Sequence, residues 1–229
     1  MITYSLDTNL VIPLINVVDH NRHIVLGVIK KEKNKCVICS SVIEEVKKVL
    51  RDKTALAIKK SLKILFPLKD IKEPFKRDQF LIKSFQDLMD KDKNLKNFYG
   101  LLYNKITDFL KENSIDVLPK FLSELSSEMV KIVSPSIKEH IEFDYISFNY
   151  SDTLLVKRYG DINKSISSIK FKDDHDAYIF KELAILANLE LIINFYTHDK
   201  EFSKTASCAI SILEKTLHYS PSTLYFSYV

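Results

Sequence analysis

The chain has 229 residues, of which 46% are hydrophobic and 28% are charged, and its formal net charge is +4. These values are typical of a globular protein with one large domain, or with one domain and a sizeable insertion. No charge-free apolar run approaches the ~18 residues that a membrane-spanning helix needs, and the N-terminus shows no secretion signal. We therefore expect a cytoplasmic protein that has no membrane partner.

Cysteine and glycine usage argues against several kinds of site. Three cysteines, an odd number, do not suggest a disulfide framework. Cys36 and Cys39 lie three residues apart in an apolar run, where a strand would point them to opposite faces, so we interpret them as buried thiols. The three glycines are isolated from one another, whereas phosphate-binding loops and nucleophile elbows need clustered glycines. The sequence therefore predicts no nucleotide cofactor.

The first fifty residues follow an α/β pattern. The predicted elements are a strand over 1–6, helices over 9–18 and 21–33, a strand over 36–39 and a helix over 42–51. Asp7 falls where the first strand should stop. Glu44 has the spacing of a capping-box partner for Ser41, so its presence is explained by helix capping. Glu45 has no such explanation and is the better candidate for a site.

The middle of the chain predicts a helical block from 52 to 150. Its predicted helices cover 54–66, 80–89, 95–110, 119–133 and 134–146, the last one opened by Ser134-Pro135. The α/β pattern then resumes with a helix over 177–187, a strand over 189–197, and a further helix and short strand within 203–228. We assign 1–51 and 171–229 to an α/β core, and 52–170 to a mainly helical insertion.

Positive charge is concentrated in one segment. Residues 47–77 hold 11 Lys and Arg residues and three acids, which leaves a net charge of +8 there and −4 elsewhere. Such a segment suits a polyanion partner, although it also fits a solvated helix face. Lys59, Lys60 and Lys63, which lie off the apolar stripe of their predicted helix, are the candidate nucleic-acid contacts.

Four carboxylates are predicted to meet at one edge of the sheet. Asp7 and Asp199 each follow a buried strand, and parallel strands bring their carboxyl ends to the same edge. Glu45 and Asp176 lie in the first turns of helices expected to begin at that edge. Because four acids in a small volume repel one another, the arrangement calls for a cation, and hard oxygen ligands favour Mg²⁺ or Mn²⁺. Such an ion can activate water for phosphodiester cleavage.

Four short blocks resemble the signature blocks of the PIN-domain nucleases. They occur in the order of that family: Leu6-Asp7-Thr8-Asn9, Val42-Ile43-Glu44-Glu45-Val46, Asp176-Ala177-Tyr178-Ile179 and Thr197-His198-Asp199-Lys200-Glu201-Phe202. The first and last blocks are the most specific, and the resemblance covers about residues 1–51 and 171–220. The block at 52–150 is far longer than the connection usual in that family.

The resemblance implies a fold, an activity and a set of site residues. The fold would be a three-layer α/β/α sandwich with a central parallel sheet, here with a large helical insertion. The activity would be metal-dependent cleavage of RNA, with Asp7, Asp176 and Asp199 as metal ligands and Glu45 beside them. Asn9, Thr197 and Asp174 would be supporting residues, and the family also admits a homodimer.

Each of these residues also has a structural explanation. Asp7, Asp174 and Asp199 could each be a helix cap, and only their joint occurrence favours a site. His175 and His198 neighbour the acids, but a Mg²⁺-type site needs no imidazole, so we interpret both as surface or supporting residues. Phe143, Tyr145, Phe148 and Tyr150 are expected to pack in the core rather than stack on bases. The alternative functions are a non-catalytic RNA-binding or assembly module, and a toxin-like ribonuclease neutralised by an antitoxin.

Overall fold

A computed structural model describes residues 3–32, 35–146, 152–188, 194–217 and 224–229. The strands are β1 (Thr3–Leu6), β2 (Lys35–Cys39), β3 (Phe143–Ile146), β4 (Asn194–Thr197) and β5 (Tyr225–Tyr228). The helices are α1 (Thr8–Ile15), α2 (Arg22–Lys31), α3 (Ser40–Leu65), α4 (Pro74–Lys91), α5 (Lys96–Glu112), α6 (Leu118–Lys131), α7 (Val133–Lys138), α8 (Thr153–Ser165), α9 (Asp174–Asn188) and α10 (Lys200–Leu217). Short 3₁₀ segments at Phe66–Asp70, Lys93–Leu95 and Ile115–Val117 connect some of the helices.

The five described strands form one sheet in the order β3-β2-β1-β4-β5. Every neighbouring pair is parallel. The predicted parallel pairing of the first strand with the strand that ends at Thr197 is therefore confirmed, and it places Leu6 beside Tyr196. The carboxyl ends of β1 and β4 consequently lie side by side, and Asp7 follows directly after one of them.

Helices pack on both faces of the sheet. β1 is buried at every position, which is typical of a parallel strand covered on two sides. On one face, Phe195 contacts Phe202 of α10, with 5.7 Å between the ring centroids. On the opposite face, the hydroxyl of the next residue, Tyr196, donates to Glu32, which follows α2. The fold is thus α/β with a parallel sheet between helical layers, as predicted.

The predicted break between helices at 42–51 and 54–66 is wrong, because α3 is one helix of 26 residues. The apolar stripe of α3 continues through small polar residues, since Thr54 is 3% exposed and Ser61 is fully buried. Ser61 donates its hydroxyl to the carbonyl of Ala57 at 2.7 Å, which lets it occupy a core position. The predicted division between residues 51 and 52 therefore falls inside α3.

The predicted helix over 134–146 is also wrong. α7 ends at Lys138, and Phe143–Ile146 forms strand β3, which pairs with β2. Phe143, Tyr145 and Ile146 are aromatic or β-branched, and these residue types are enriched in strands. Part of the predicted helical insertion therefore belongs to the central sheet.

The other predicted elements agree in type with the structure. Among them, the helices over 80–89, 95–110 and 119–133 correspond to α4, α5 and α6. Of the strand predicted over 189–197, residues 189–193 lie outside the described residues, as do Phe148, Tyr150 and the side chains of Phe143 and Tyr145. Cys36 and Cys39 are buried free thiols, as predicted. No helix within the described ranges is both long and apolar enough to cross a bilayer.

Candidate functional site

Asp7 is a buried carboxylate at the end of β1, with 7% of its surface exposed. It is the N-cap of α1, and its Oδ1 accepts a hydrogen bond from the backbone N–H of Thr8 at 2.8 Å. Its own N–H donates to the carbonyl of Tyr196 at 2.9 Å, which links it to β4. Asp7 is thus a helix cap, as the structural explanation proposed, and it also lies at the carboxyl edge of the sheet.

Asn9 and Thr197 hold the second oxygen of Asp7. The Asp7 Oδ2 accepts hydrogen bonds from Asn9 Nδ2 at 2.8 Å and from Thr197 Oγ1 at 2.6 Å. Asn9 is itself anchored, because its Oδ1 accepts from the backbone N–H of His198 at 3.0 Å. Thr197 is fully buried. The structure therefore places both predicted supporting residues in direct contact with Asp7.

Glu45 reaches the same site from the first turns of α3. The hydroxyl of Thr8 donates to Glu45 Oε2 at 2.5 Å. The Glu45 carboxylate therefore contacts the residue that directly follows Asp7. Glu44, in contrast, is exposed and paired with Lys47 at 2.7 Å. Glu44 does not act as a capping-box residue, because the N-cap of α3 is Cys39, five residues before it, and the Cys39 side chain makes no capping hydrogen bond. The preference for Glu45 over Glu44 agrees with this placement.

Asp176 is the member of the third block that faces the other acids. It lies in the first turn of α9, and its backbone N–H donates to Asp173 Oδ1 at 3.0 Å. Asp173 is therefore the capping residue. Asp174 is exposed and makes no described contact with Asp7, Glu45 or Asp199. Burial raises the pKa of Asp176 to about 6, with additional repulsion from Asp173, Asp199 and Glu45.

Asp199 caps α10 and faces a lysine. Its Oδ1 accepts from the backbone N–H groups of Glu201 and Phe202 at 2.8 and 2.9 Å. Its Oδ2 lies 3.8 Å from the Nζ of Lys172, whose side chain is 60% exposed. Lys172 is therefore a solvent-exposed cation beside the acidic residues, and the sequence did not single it out.

The four acids interact electrostatically across four segments of the chain. Burial raises the pKa of Asp7 to about 7, and repulsion by Glu45 and Asp176 adds to the rise, while hydrogen bonds from Thr197 and Thr8 oppose it. The side chains do not form a closed ligand set: among the described residues, no three His, Cys, Asp or Glu side chains are arranged to hold a metal ion. The donor atoms are all carboxylate oxygens, which match a hard divalent cation in chemical type. The arrangement is therefore an acidic site with one buried carboxylate, Asp7, whose pKa of about 7 leaves a substantial protonated fraction near neutral pH.

Glu182 is an important residue that sequence reasoning missed. It is 2% exposed and reaches from α9 to the N-terminus of α3. There it accepts from the Ser41 N–H at 3.1 Å, the Ser41 hydroxyl at 2.5 Å and the Ser40 hydroxyl at 3.0 Å. A carboxylate is favourable at a helix N-terminus, so Glu182 caps α3 from another helix and connects the helices that carry Glu45 and Asp176. The sequence does contain a signal for this role, because a glutamate within the apolar stripe of α9 indicates a buried carboxylate with hydrogen-bond partners.

The three candidate nucleic-acid lysines do not form one cluster, and they lie far from the acidic residues. Lys59 and Lys63 are exposed, but Lys60 is paired with Asp92 at 2.5 Å. At ~1.5 Å of rise per residue, Lys59 and Lys63 lie about 20–27 Å along α3 from Glu45. The structure therefore brings together the four predicted acids with Asn9 and Thr197, and it places these lysines elsewhere.

The two histidines near the acids take supporting positions. His198 stacks on Tyr228 with 5.6 Å between the ring centroids, and His175 is exposed. Comparison of the chain with protein-family models, with curated proteins and with solved structures finds no match in any of the three.

Proposed function

We propose that this chain is a divalent-metal-dependent ribonuclease with a PIN-like fold. The observation that supports it is the convergence of Asp7, Glu45 and Asp176 at the carboxyl edge of the sheet, where their repulsion helps to raise the pKa of Asp7 to about 7. Like charges held together at one edge of a sheet lower the free energy of unfolding, and such arrangements are typical of functional sites.

The acidic side chains have separate tasks in this proposal. Asp7, Asp176 and Asp199 would hold Mg²⁺ or Mn²⁺, and the ion would supply charge neutralisation and an activated water. Asn9 and Thr197 keep the Asp7 carboxylate in one orientation through the bonds to its Oδ2. The Thr8 hydroxyl orients Glu45, which can accept a proton from the attacking water.

Lys172 would be the positive group that contacts the substrate. Its exposed side chain lies beside Asp199, so its ammonium can contact a phosphate oxygen as negative charge grows on the oxygens in the transition state. The affinity for RNA would then be salt-sensitive and largely independent of sequence, since phosphate contacts carry no base information. The proposed substrate is accordingly RNA in general.

Cleavage of labelled RNA tests the proposal directly. With single-stranded and structured RNA, we expect cleavage in Mn²⁺ and none in EDTA. Glu45→Gln should lower the rate by more than about 100-fold, because loss of a residue that only supports a metal ligand already costs about 10–100-fold. Glu44→Gln is the matched control, since Glu44 is the exposed neighbour, and it should cleave like the wild type. RNA binding without cleavage under every condition would favour the non-catalytic module.

Metal binding can be measured separately from cleavage. We expect Mn²⁺ near pH 8 to raise the melting temperature, because a ligand at about 100 times its Kd adds about 2.7 kcal/mol to the free energy of unfolding. For a chain of this size that corresponds to a shift of about 5–10 °C. The shift should shrink near pH 5.5, since the pKa values of Asp7 and Asp176, about 7 and about 6, let protons compete with the ion.

The control for this measurement is KCl at matched ionic strength, which should leave the melting temperature unchanged. Asp176→Asn should lose most of the Mn²⁺ effect, and Glu44→Gln should keep it. An equal shift in wild type and Asp176→Asn would show that the ion binds elsewhere, and the acidic residues would then not be its site.

A further inference from the structure

An apolar groove lies between the second half of α3 and α6, away from the acidic residues. Its walls include Ile58, Leu62 and Phe66 on the α3 side and Ile115, Leu118 and Leu122 on the α6 side. We call it the α3–α6 groove. Its cavity volume is about 240 Å³, and at ~1.5 Å of rise per residue Leu62 lies about 25 Å along α3 from Glu45. It is therefore distinct from the proposed nuclease site.

Two apolar residues of the groove wall on the α3 side are exposed. Phe66 is 68% exposed and Leu62 is 36% exposed. Ile58, Leu62 and Leu65 are spaced at i, i+4 and i+7, which places them on one side of the helix. An exposed apolar strip beside a concave groove marks an interaction site more often than an isolated surface leucine does.

The size and lining of the groove decide what kind of occupant fits. Pockets for small molecules have volumes of about 300–1,000 Å³ and carry several polar groups. This one is smaller, and its polar lining residues within the described part of the chain are Lys69 and Ser123. RNA is a poor match, since its phosphates need polar partners and its bases need stacking surfaces, and Phe66 is the aromatic ring in the lining. A few apolar side chains of a partner helix fit such a groove well.

Charge along one wall adds to this choice. Lys59 and Lys63 lie on the side of α3 next to the groove residues, and Lys69 lies at the end of the groove. All three lysines are exposed. Lys60 points to another side, where it pairs with Asp92. The groove thus has a basic flank within the segment 47–77, whose net charge is +8, and Lys69 is also one of its lining residues. A partner with acidic residues along one edge would complement it, and such complementarity favours specificity and fast association.

We propose that the α3–α6 groove binds an acidic amphipathic helix of a protein partner. The apolar face of that helix enters the groove between Leu62 and Leu122. Phe66 packs against it as an aromatic anchor, the type of residue that carries most of the binding energy in such interfaces. Acidic residues on the edge next to α3 meet Lys59 and Lys63.

A selection from a displayed library of helical peptides tests the proposal. The whole chain is the target, and the enriched peptides are then synthesised and titrated by fluorescence anisotropy. We expect enriched sequences with apolar residues at i, i+4 and i+7 and with net negative charge. Phe66→Ala should weaken their binding by about 10-fold, as should the double variant Lys59→Glu/Lys63→Glu. Phe66 is mostly exposed, so its truncation leaves the core unchanged.

Two matched controls separate the groove from the general surface. Phe75→Ala removes an aromatic ring that is 70% exposed and outside the groove, and Lys83→Glu/Lys91→Glu reverses two exposed charges on α4. Both should bind the enriched peptides like the wild type.

Three results would overturn the proposal: no enrichment, enrichment of neutral or basic peptides, or binding that Phe66→Ala leaves unchanged. Displacement of the peptides by a short single-stranded RNA would instead assign the groove to RNA. None of these outcomes depends on whether the acidic residues cleave RNA.

Discussion

The variant Asp7→Asn is expected to lose RNA cleavage while becoming more stable than the wild type above pH 7. Cleavage should fall by more than about 100-fold, because the proposed metal would lose its most buried ligand. Stability should rise by about 1–2 kcal/mol near pH 8, because the substitution removes a buried charge. Asn is as good an N-cap as Asp, so α1 keeps its start.

The pH dependence of this gain follows from the pKa of Asp7. Burial raises that pKa from 3.8 to about 7, so between about pH 4 and pH 7 the folded protein binds more protons than the unfolded chain. The free energy of unfolding of the wild type therefore falls as pH rises through this window. The advantage of Asp7→Asn should be absent near pH 4, grow through the window and be complete above pH 7.

Urea unfolding in EDTA at several pH values measures this difference. Asp161→Asn, which changes an exposed aspartate on α8, is the control and should behave like the wild type at each pH. Equal stability of Asp7→Asn and the wild type at both pH 4 and pH 8 would mean that Asp7 acts only as a cap, since Asn caps a helix equally well. Unchanged cleavage in the same variant would remove Asp7 from the proposed site.

The variant Glu182→Ala is expected to destabilise the fold by about 3 kcal/mol. Its removal leaves the N–H and hydroxyl of Ser41 and the hydroxyl of Ser40 without their acceptor. A hydrogen bond to a charged group is worth about 1.5–3 kcal/mol, and loss of a helix cap costs about 0.5–2 kcal/mol. For a chain of this size we expect a decrease in melting temperature of about 6–12 °C.

Thermal unfolding of three variants checks this role. Glu182→Gln keeps an acceptor for Ser41 and should lose about half as much stability as Glu182→Ala. Glu214→Ala removes an exposed glutamate of α10 and should change the melting temperature by less than about 2 °C. If Glu182→Ala were as stable as Glu214→Ala, Glu182 would not be the connection between α9 and α3.

Opposite effects of the two variants would show how the site is built. Glu182 stabilises the fold, because its carboxylate has three hydrogen-bond donors around it. Asp7 also has three donors around it, but its pKa is raised because burial disfavours its charged form and because Glu45 and Asp176 repel it. A buried carboxylate with a raised pKa retains unfavourable charge that a bound cation can relieve.

Several features could be predicted from the sequence because they depend on neighbouring residues. The run before Asp7 and the run before Asp199 are apolar and end at polar residues, which is how buried strands end. The choice of Glu45 over Glu44 agrees with the placement of the two side chains, although the capping box on which it was argued does not form. Such features are local, and the rule that parallel strands share an edge then brought the acids together.

Other features depended on partners that are distant in sequence. Thr54 and Ser61 read as polar residues, yet both are buried in α3, because helix packing leaves small positions there. Strand β3 forms because Phe143–Ile146 pairs with β2, whereas the sequence pattern predicts that the preceding helix reaches about Ile146. In both cases contacts with residues distant in sequence decide the local structure.

The sequence by itself determined the α/β class, the places where β1 and β4 end, and the set of acids that follow them. Only the tertiary structure decided which oxygen of Asp7 faces Asn9 and Thr197, that Glu182 caps α3, and that Lys60 is paired while Lys172 lies beside Asp199. The reason is physical: strand ends and helix starts are set by residues close in the chain, whereas burial, pairing and pKa depend on side chains brought together only by folding.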